Sequence, residues 1–296
     1  MPRISIVIPT FNQAGLLRRA VESVWAQTFK DTETLIVDDG SEDDTSAVAR
    51  QLSTCRYIKI AHSGLPAVAR NVGVKQATGD YIAFLDADDE WLPNKLEIQA
   101  KILNDDRAIG VVCSNAFIEN AKATEEQLYL RPNQGKTGKV FPDLLRDNFI
   151  ITSTVVMRRD LFQWAGGFSE TKELRALEDY DLWLRVATWT TINYISEPLA
   201  FYQQNTAGLS KSIKTSEHWR SLEYLFEKTH YALSGYAINP WNPIIDARLT
   251  GARRARCNAH LAAGEYREFF KTSFAFFKKQ PVQALKCVVL RIVDKS

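Results

Sequence analysis

Five aspartates stand in two tight groups, Asp38-Asp39 and Asp86-Ala87-Asp88-Asp89, and each group closes an apolar run. A third polar stretch, Pro9-Thr10-Phe11-Asn12, closes the apolar run from Ile4 to Ile8. Brought into one place, these carboxylates repel one another strongly unless a cation or hydrogen-bond donors offset them. Hard divalent cations take carboxylate oxygens, and magnesium favours one or two carboxylates together with substrate phosphates. The residue types therefore point to a metal–nucleotide site. Each piece also has a plainer reading. Asp38-Asp39-Gly40-Ser41 alone is ordinary turn and helix-cap chemistry, and Asp-Ala-Asp alone is common. Their joint occurrence at the ends of apolar runs gives them weight.

The elements that must position them alternate in type. Ile4 to Ile8, Thr34 to Val37, Tyr57 to Ile60, Tyr81 to Leu85 and Ile109 to Cys113 read as buried strands. Between them Leu16, Leu17, Ala20, Val21, Val24 and Trp25 recur at helical spacing. A helix start is read at Ser41 to Asp44, a helix over Pro66 to Ala77, and another opened by Pro93 at its first turn. Strands alternating with helices predict an α/β fold with a mostly parallel sheet covered on both faces. In such sheets ligands bind outside the carboxyl ends of the strands, so the three polar clusters should share one cleft.

Further along, Pro132, Gly135, Gly138 and Pro142 break residues 121–150 into loop. Strand signals return at Ile150 to Met157 and Ile192 to Tyr202, with a helix over Leu177 to Thr188 between them. Beyond about residue 213 the pattern is helical, with one break at Asn239-Pro240-Trp241-Asn242-Pro243. The expected organisation is an α/β domain over 1–212, split into halves at 120, followed by a helical region over 213–296.

The chain has 296 residues, 45% of them apolar, enough for a large core. Its formal net charge of +2 argues against a dedicated nucleic-acid binder. No apolar stretch approaches a membrane span, and the N-terminal run is too short for a signal peptide. Cys55, Cys113, Cys257 and Cys287 lie far apart, as reduced core cysteines do. The expectation is a cytoplasmic protein.

As a set, Ser5 to Asn12, Val37-Asp38-Asp39-Gly40-Ser41, Ala69-Arg70-Asn71-Val72-Gly73 and Gly79 to Asp89 resemble the donor half of a family 2 glycosyltransferase with the GT-A fold. Gly166-Gly167-Phe168 and Leu177-Glu178-Asp179-Tyr180-Asp181-Leu182-Trp183 resemble the acceptor-side motif of that family. The resemblance spans about residues 1–210. It implies an inverting, non-processive enzyme that takes a sugar from a nucleotide donor, UDP-linked by preference, and passes it to a glycan or lipid-linked glycan. The surface-glycan setting is drawn from the resemblance alone. By the same likeness Pro9, Thr10 and Phe11 would line the base pocket, with Phe11 offering a ring face. Asp39 would accept the uracil imide N–H, and Asp38 would help with the ribose. Arg70 would contact base or diphosphate, with Asn71 beside it in the donor shell. Asp86 would face the ribose, and Asp88 would bind Mn2+ or Mg2+ bridging the phosphates. Asp179 would be the general base, and Glu178 would orient a neighbour or the acceptor. Without the upstream motifs, Glu178-Asp179 would read as an ordinary acidic helix start.

Two departures matter. Where the family often shows Tyr-Arg-x-His, this chain has Tyr202-Gln203-Gln204-Asn205, leaving a third metal ligand open. His218, beside Trp219, is the substitute at hand, or else a structural histidine. The Gln-x-x-Arg-Trp motif of processive synthases is absent. Two other functions compete with transfer. A nucleotidyltransferase would want a lysine in a glycine-rich loop after strand one, and Pro9 to Gly15 has none. A binding module without turnover would fit the loss at Gln203 and Asn205, and is opposed by intact Asp86, Asp88 and Asp179. Finally, residues 251–296 carry ten basic against three acidic residues, with Phe269, Phe270, Phe274, Phe276 and Phe277 among them. A basic aromatic helix can lie on an anionic membrane. The alternative is a helical hairpin packed on the rest of the protein, since the aromatics spread over more than one face.

Overall fold

A computed structural model describes residues 3–118, 127–203, 213–234 and 240–280. The chain divides into two compact units. One comprises Met1–Glu170 and Glu178–Asn205, and the other comprises Thr171–Leu177 and Thr206–Ser296.

The first unit is an eight-stranded sheet. Its strands are β1 (Ile4–Thr10), β2 (Thr32–Asp38), β3 (Cys55–Lys59), β4 (Tyr81–Phe84), β5 (Glu90–Trp91), β6 (Ile109–Ile118), β7 (Val156–Arg158) and β8 (Thr191–Tyr202). They lie in the order β3-β2-β1-β4-β7-β6-β8-β5. The first four are parallel, as is the β6–β8 pair. The short β7 runs antiparallel to both β4 and β6, and β5 antiparallel to β8. This is the mostly parallel α/β sheet of the GT-A, Rossmann-like type, with a C-terminal helical region in the second unit.

Both faces of the sheet are covered, and β1 shows why its run had to be apolar throughout. All seven of its residues are buried. Ile4, Ile6 and Ile8 pack with Leu17, Ala20 and Val21 of α1 (Ala14–Trp25). Val7 points the other way, toward α3 (Pro66–Gln76), which follows α2 (Thr45–Gln51). A Cβ on Gly73 of α3 would stand 2.4 Å from Val7 Cγ1, so glycine sets how closely that helix sits.

Four local expectations change. Trp25 follows the helical spacing of α1 yet is exposed, as its last residue. The helix α4 (Lys95–Asp105) starts two residues after Pro93, whose carbonyl instead accepts the Thr28 N–H at 2.8 Å. Pro142 does not break the chain: it occupies the first turn of α5 (Phe141–Arg146), where its missing N–H costs nothing. Only Val156–Arg158 of the Ile150 to Met157 run is strand. Thr152–Thr154 forms a tight 3-10 turn, because the Thr154 hydroxyl bonds back to the Ile151 carbonyl at 2.8 Å. That turn faces Ser153 and Thr152 to the carboxylates described below. The remaining helices of this unit are α6 (Arg159–Trp164) and α7 (Glu178–Ala187).

The second unit contains α8 (Thr215–Leu233), α9 (Asn242–Ala262) and α10 (Tyr266–Lys279). Arg253 and Glu223, both buried, are paired at 2.9 Å, and Arg256 holds the other Glu223 oxygen at 2.8 Å. Phe276 is buried beside Cys257 and Phe269. Of the expected features, Gln204, Asn205, Asn239, Cys287 and the tail over 281–296 lie outside the described residues. His218 sits on α8, its ring edge-on to Trp219. Among the described residues no helix is long and apolar enough to cross a membrane, and Cys55, Cys113 and Cys257 take part in no disulfide.

Candidate active site

Parallel register collects the polar clusters. Thr10 pairs with Asp38 across β1 and β2, and the Asp39 N–H donates to the Thr10 carbonyl at 2.9 Å. On the other side of β1 the Leu85 N–H donates to the Val7 carbonyl at 3.1 Å, which brings Asp86 to the same edge. Pro9–Asn12, Asp38–Ser41 and Asp86–Asp89 therefore share the carboxyl rim of the sheet, as predicted.

On one side of this rim a ring face is presented. Phe11 is exposed and stacks on His62, with centroids 4.2 Å apart. Pro9 and Thr10 are buried beneath, and the Thr10 hydroxyl has no hydrogen-bond partner among the described residues. Asp39 is buried. One carboxylate oxygen accepts the Ser63 N–H at 2.8 Å and the other the Gly64 N–H at 3.0 Å. His62 Nδ1 lies 2.8 Å from the Asp39 carbonyl. Gly40 is required here: its φ is +76°, and a Cβ would stand 2.8 Å from the His62 nitrogen. Asp38 is fully buried and accepts the Ser41 N–H at 2.7 Å and the Tyr57 hydroxyl at 2.6 Å. Its oxygens hold the turn.

On the other side lie the remaining carboxylates. Asp89 is buried, accepts the Gln203 N–H at 2.8 Å and takes a hydrogen bond from the Ser153 hydroxyl. Burial first, and then the charges of Asp86 and Asp88, push it well above the usual carboxylate range. Asp88 is half-buried. Asp86 is partly exposed; its backbone N–H donates to Ser153 Oγ at 3.1 Å, and its carboxylate accepts Arg70 Nη2 at 2.6 Å.

Arg70 itself is buried. Its second nitrogen donates to Glu178 Oε1 at 2.8 Å, and its guanidinium lies 5.4 Å from the Phe168 ring centroid. Arg70 thus spans from Asp86, just past β4, to Glu178 at the start of α7. Next to it, Asn71 accepts the Phe168 N–H at 2.9 Å and donates to the Phe168 carbonyl and to Glu170. Asn71 is a clasp between α3 and the Gly166-Gly167-Phe168 turn. Gly166 and Gly167 have φ of +78° and +72°, and a Cβ on Gly167 would meet Asn71 Oδ1 at 2.8 Å. The two glycines are what the clasp requires.

Glu178 is buried and its Oε2 has no hydrogen-bond partner among the described residues. Asp179, partly exposed at the start of α7, accepts the Thr152 hydroxyl at 2.9 Å and the Tyr180 N–H at 2.6 Å. Its carboxyl is pushed up to about 6, by burial first and then by Glu178, with Arg70 pulling the other way. A carboxylate near 6 suits proton abstraction close to neutral pH. Sequence reading missed His62, Thr152 and Ser153. His62 was within reach, because it follows the end of β3 as the other clusters follow β1, β2 and β4. Thr152 and Ser153 carried no signal, since their run read as strand.

Among the described residues no group of three or more His, Cys, Asp and Glu is arranged to hold a metal. Asp86 and Asp88 remain as hard oxygen donors. Such donors are the kind a divalent cation completed by phosphate oxygens takes.

The chain is similar to known proteins. The family model described as Glycosyl transferase family 2 matches residues 5–164. An uncharacterized glycosyltransferase of Rickettsia felis is 35% identical over 203 residues, 67% of this chain and 32% of that protein. One from Rickettsia conorii is 30% identical over 300 residues, 98% of this chain and 47% of that protein. This chain thus spans half or less of those two relatives. A solved structure of S. aureus TarS with UDP-GlcNAc is 16% identical and superposes with a TM-score of 0.64, covering 96% of this chain and 79% of that one. Mannosyltransferase PcManGT from Pyrobaculum calidifontis, with GDP-Man and Mn2+, is 19% identical at a TM-score of 0.62, covering 100% and 88%. These last two share the fold. The chain belongs to glycosyl transferase family 2.

Proposed function

We propose that the protein transfers one sugar from a nucleotide diphosphate sugar, UDP-linked, to a hydroxyl of a glycan or lipid-linked glycan acceptor, with inversion. The observation that carries this reading is Asp179. It is a carboxylate poised near 6 and joined through Glu178 and Arg70 to the donor-side Asp86. Asp179 takes the proton of the acceptor hydroxyl, and the freed oxygen attacks the anomeric carbon from the face opposite the leaving diphosphate. A base so placed contributes about 10²- to 10⁴-fold. Inverting glycosidases use the same opposed geometry with water in place of the acceptor.

Asp88, with Asp86 beside it, would hold Mn2+ or Mg2+. Such an ion supplies Lewis acidity to the diphosphate as charge builds there. Phe11 and His62 offer rings to the base. Asp39 can accept an N–H and cannot donate one, which suits uracil and opposes cytosine, whose N3 is an acceptor. The UDP-GlcNAc bound to the S. aureus protein is in keeping with this choice. Guanine also carries an N–H for Asp39, as the GDP-Man of the archaeal protein illustrates. The place of work we propose is the cytoplasm at the inner face of the membrane, in surface-glycan synthesis. In support, α10 presents Tyr266, Phe270, Phe274 and Phe277 to solvent beside basic residues.

Titration calorimetry of UDP, GDP and CDP with Mn2+ tests the donor half. UDP should bind at least about tenfold more tightly than CDP, a gap of about 1.4 kcal/mol for one mismatched polar contact. Asp39→Ala should narrow it. Equal affinities for UDP and CDP in the unaltered protein would remove the base-pocket assignment.

A further inference from the structure

We propose that Arg70 is a positioning residue that joins Asp86 to Glu178 by a two-carboxylate bridge and so couples Asp86 to the neighbouring Asp179. The inference deepens the reading of Asp179 as the base and rests on it for its functional consequence.

The geometry is specific. Arg70 is 5% exposed and forks between Asp86 at 2.6 Å and Glu178 at 2.8 Å, two carboxylates 92 positions apart in the chain. Its Nε is buried without a partner, and so is Glu178 Oε2, so neither group has an alternative bond within the described residues. A guanidinium stays charged whatever its surroundings, and its planar fork suits two oxygens at once. Here the two carboxylates push its proton affinity higher still. Removing such a partner leaves a buried carboxylate uncompensated.

The charged and titratable groups acting on Asp179 are few. Glu178 raises its proton affinity and Arg70 lowers it, while Tyr129, neutral at these pH values, faces it from the loop after β6. Thr152 and the Tyr180 N–H stabilise the carboxylate form. Glu178 and Arg70 are thus a matched pair of opposite sign next to the base. The bridge lets the base abstract a proton near neutrality without staying protonated there. It also ties that capacity to Asp86, on the side where the donor would lie.

The test reads the carboxyl group directly. The whole protein, labelled with 13C at aspartate Cγ, is titrated by NMR, and the Asp179 resonance is the one missing in Asp179→Asn. Glu178→Gln keeps the shape and removes the negative neighbour, so the Asp179 midpoint should fall, with at least about threefold weaker proton binding, half a pH unit. Arg70→Met alone risks not folding, because it strands the buried Glu178. Introduced on top of Glu178→Gln it strands no buried glutamate, and there it should raise the midpoint by a similar factor. A midpoint that stays put in both steps, or moves the same way in both, overturns the proposal, because packing alone predicts no opposite pair of shifts. UDP binding measured on the same samples keeps the outcomes apart. Loss of UDP binding in the unaltered protein would count against the donor reading and leave the titration result standing.

Discussion

At the scale of single residues, the site works by giving similar carboxylates different surroundings. Asp38 is buried under a turn, Asp39 is held by two backbone N–H groups, and Asp89 is pushed upward beside Asp86 and Asp88. Asp179 sits near 6. A base must be deprotonated to act, so the rate of transfer should fall about tenfold per pH unit below about 6 and level off above it. Asp179→Asn should remove that limb and lower kcat by at least about 10²-fold with UDP affinity intact, the mark of an interaction made in the transition state. A pH–rate profile of both proteins checks this. Asp88→Ala should abolish the Mn2+-dependent part of UDP binding and leave the melting temperature in the absence of ligand near its original value, because Asp88 lies on the rim and not in the core. Calorimetry with and without Mn2+ decides it.

At the scale of elements, α3 is the part that assembles the site. Consecutive residues on one turn reach across to the segment from Phe168 to Glu178: Arg70 to Glu178, and Asn71 to Phe168 and Glu170. The Gly166-Gly167 turn permits this approach by adopting positive φ. Gly167→Ala should cost about 1–2 kcal/mol for the left-handed backbone alone, with the Asn71 contact adding to it. Denaturant unfolding measures the loss, and an unchanged midpoint would refute the role of this turn. Asn71 and the two glycines were recognisable as motif residues in the sequence, but their job was not. A clasp between residues almost a hundred positions apart has no local signature.

At the scale of the whole molecule, each unit carries its own chemistry. The sheet unit holds the carboxylate rim. The helical unit keeps Phe276 inside with Cys257 and Phe269, and turns Tyr266, Phe270, Phe274 and Phe277 outward, three to four residues apart. The aromatics that looked scattered over several faces thus sort into one buried set and one exposed stripe, with Lys278 over the Phe274 ring. If the stripe meets a membrane, Phe270→Ser with Phe274→Ser should weaken binding to phosphatidylglycerol vesicles by at least about tenfold, since each buried phenylalanine contributes roughly 1.5–3 kcal/mol. Raising the salt should weaken it further by screening the basic residues. Vesicle cosedimentation reads both, and salt-insensitive, mutation-insensitive binding would dismiss the stripe.

The sequence by itself determined the strand and helix alternation of the first half, because a strand buried on both faces must be apolar throughout and leaves an abrupt polar end. From that, the common rim of Thr10, Asp38 and Asp86 followed through the rule that parallel strands end on one side. Tertiary structure alone decided which partners the polar residues of this region meet. Asp38 and Asn71 bond to backbone and neighbouring side chains, and Arg70 bridges two carboxylates. It also decided that Thr152 and Ser153 turn toward the site, since the Thr154 hydroxyl, bonding back to the Ile151 carbonyl, favours a tight turn over the strand. Spacing along a chain fixes the direction of a side chain within its own element. Which partner meets it there depends on how distant elements pack.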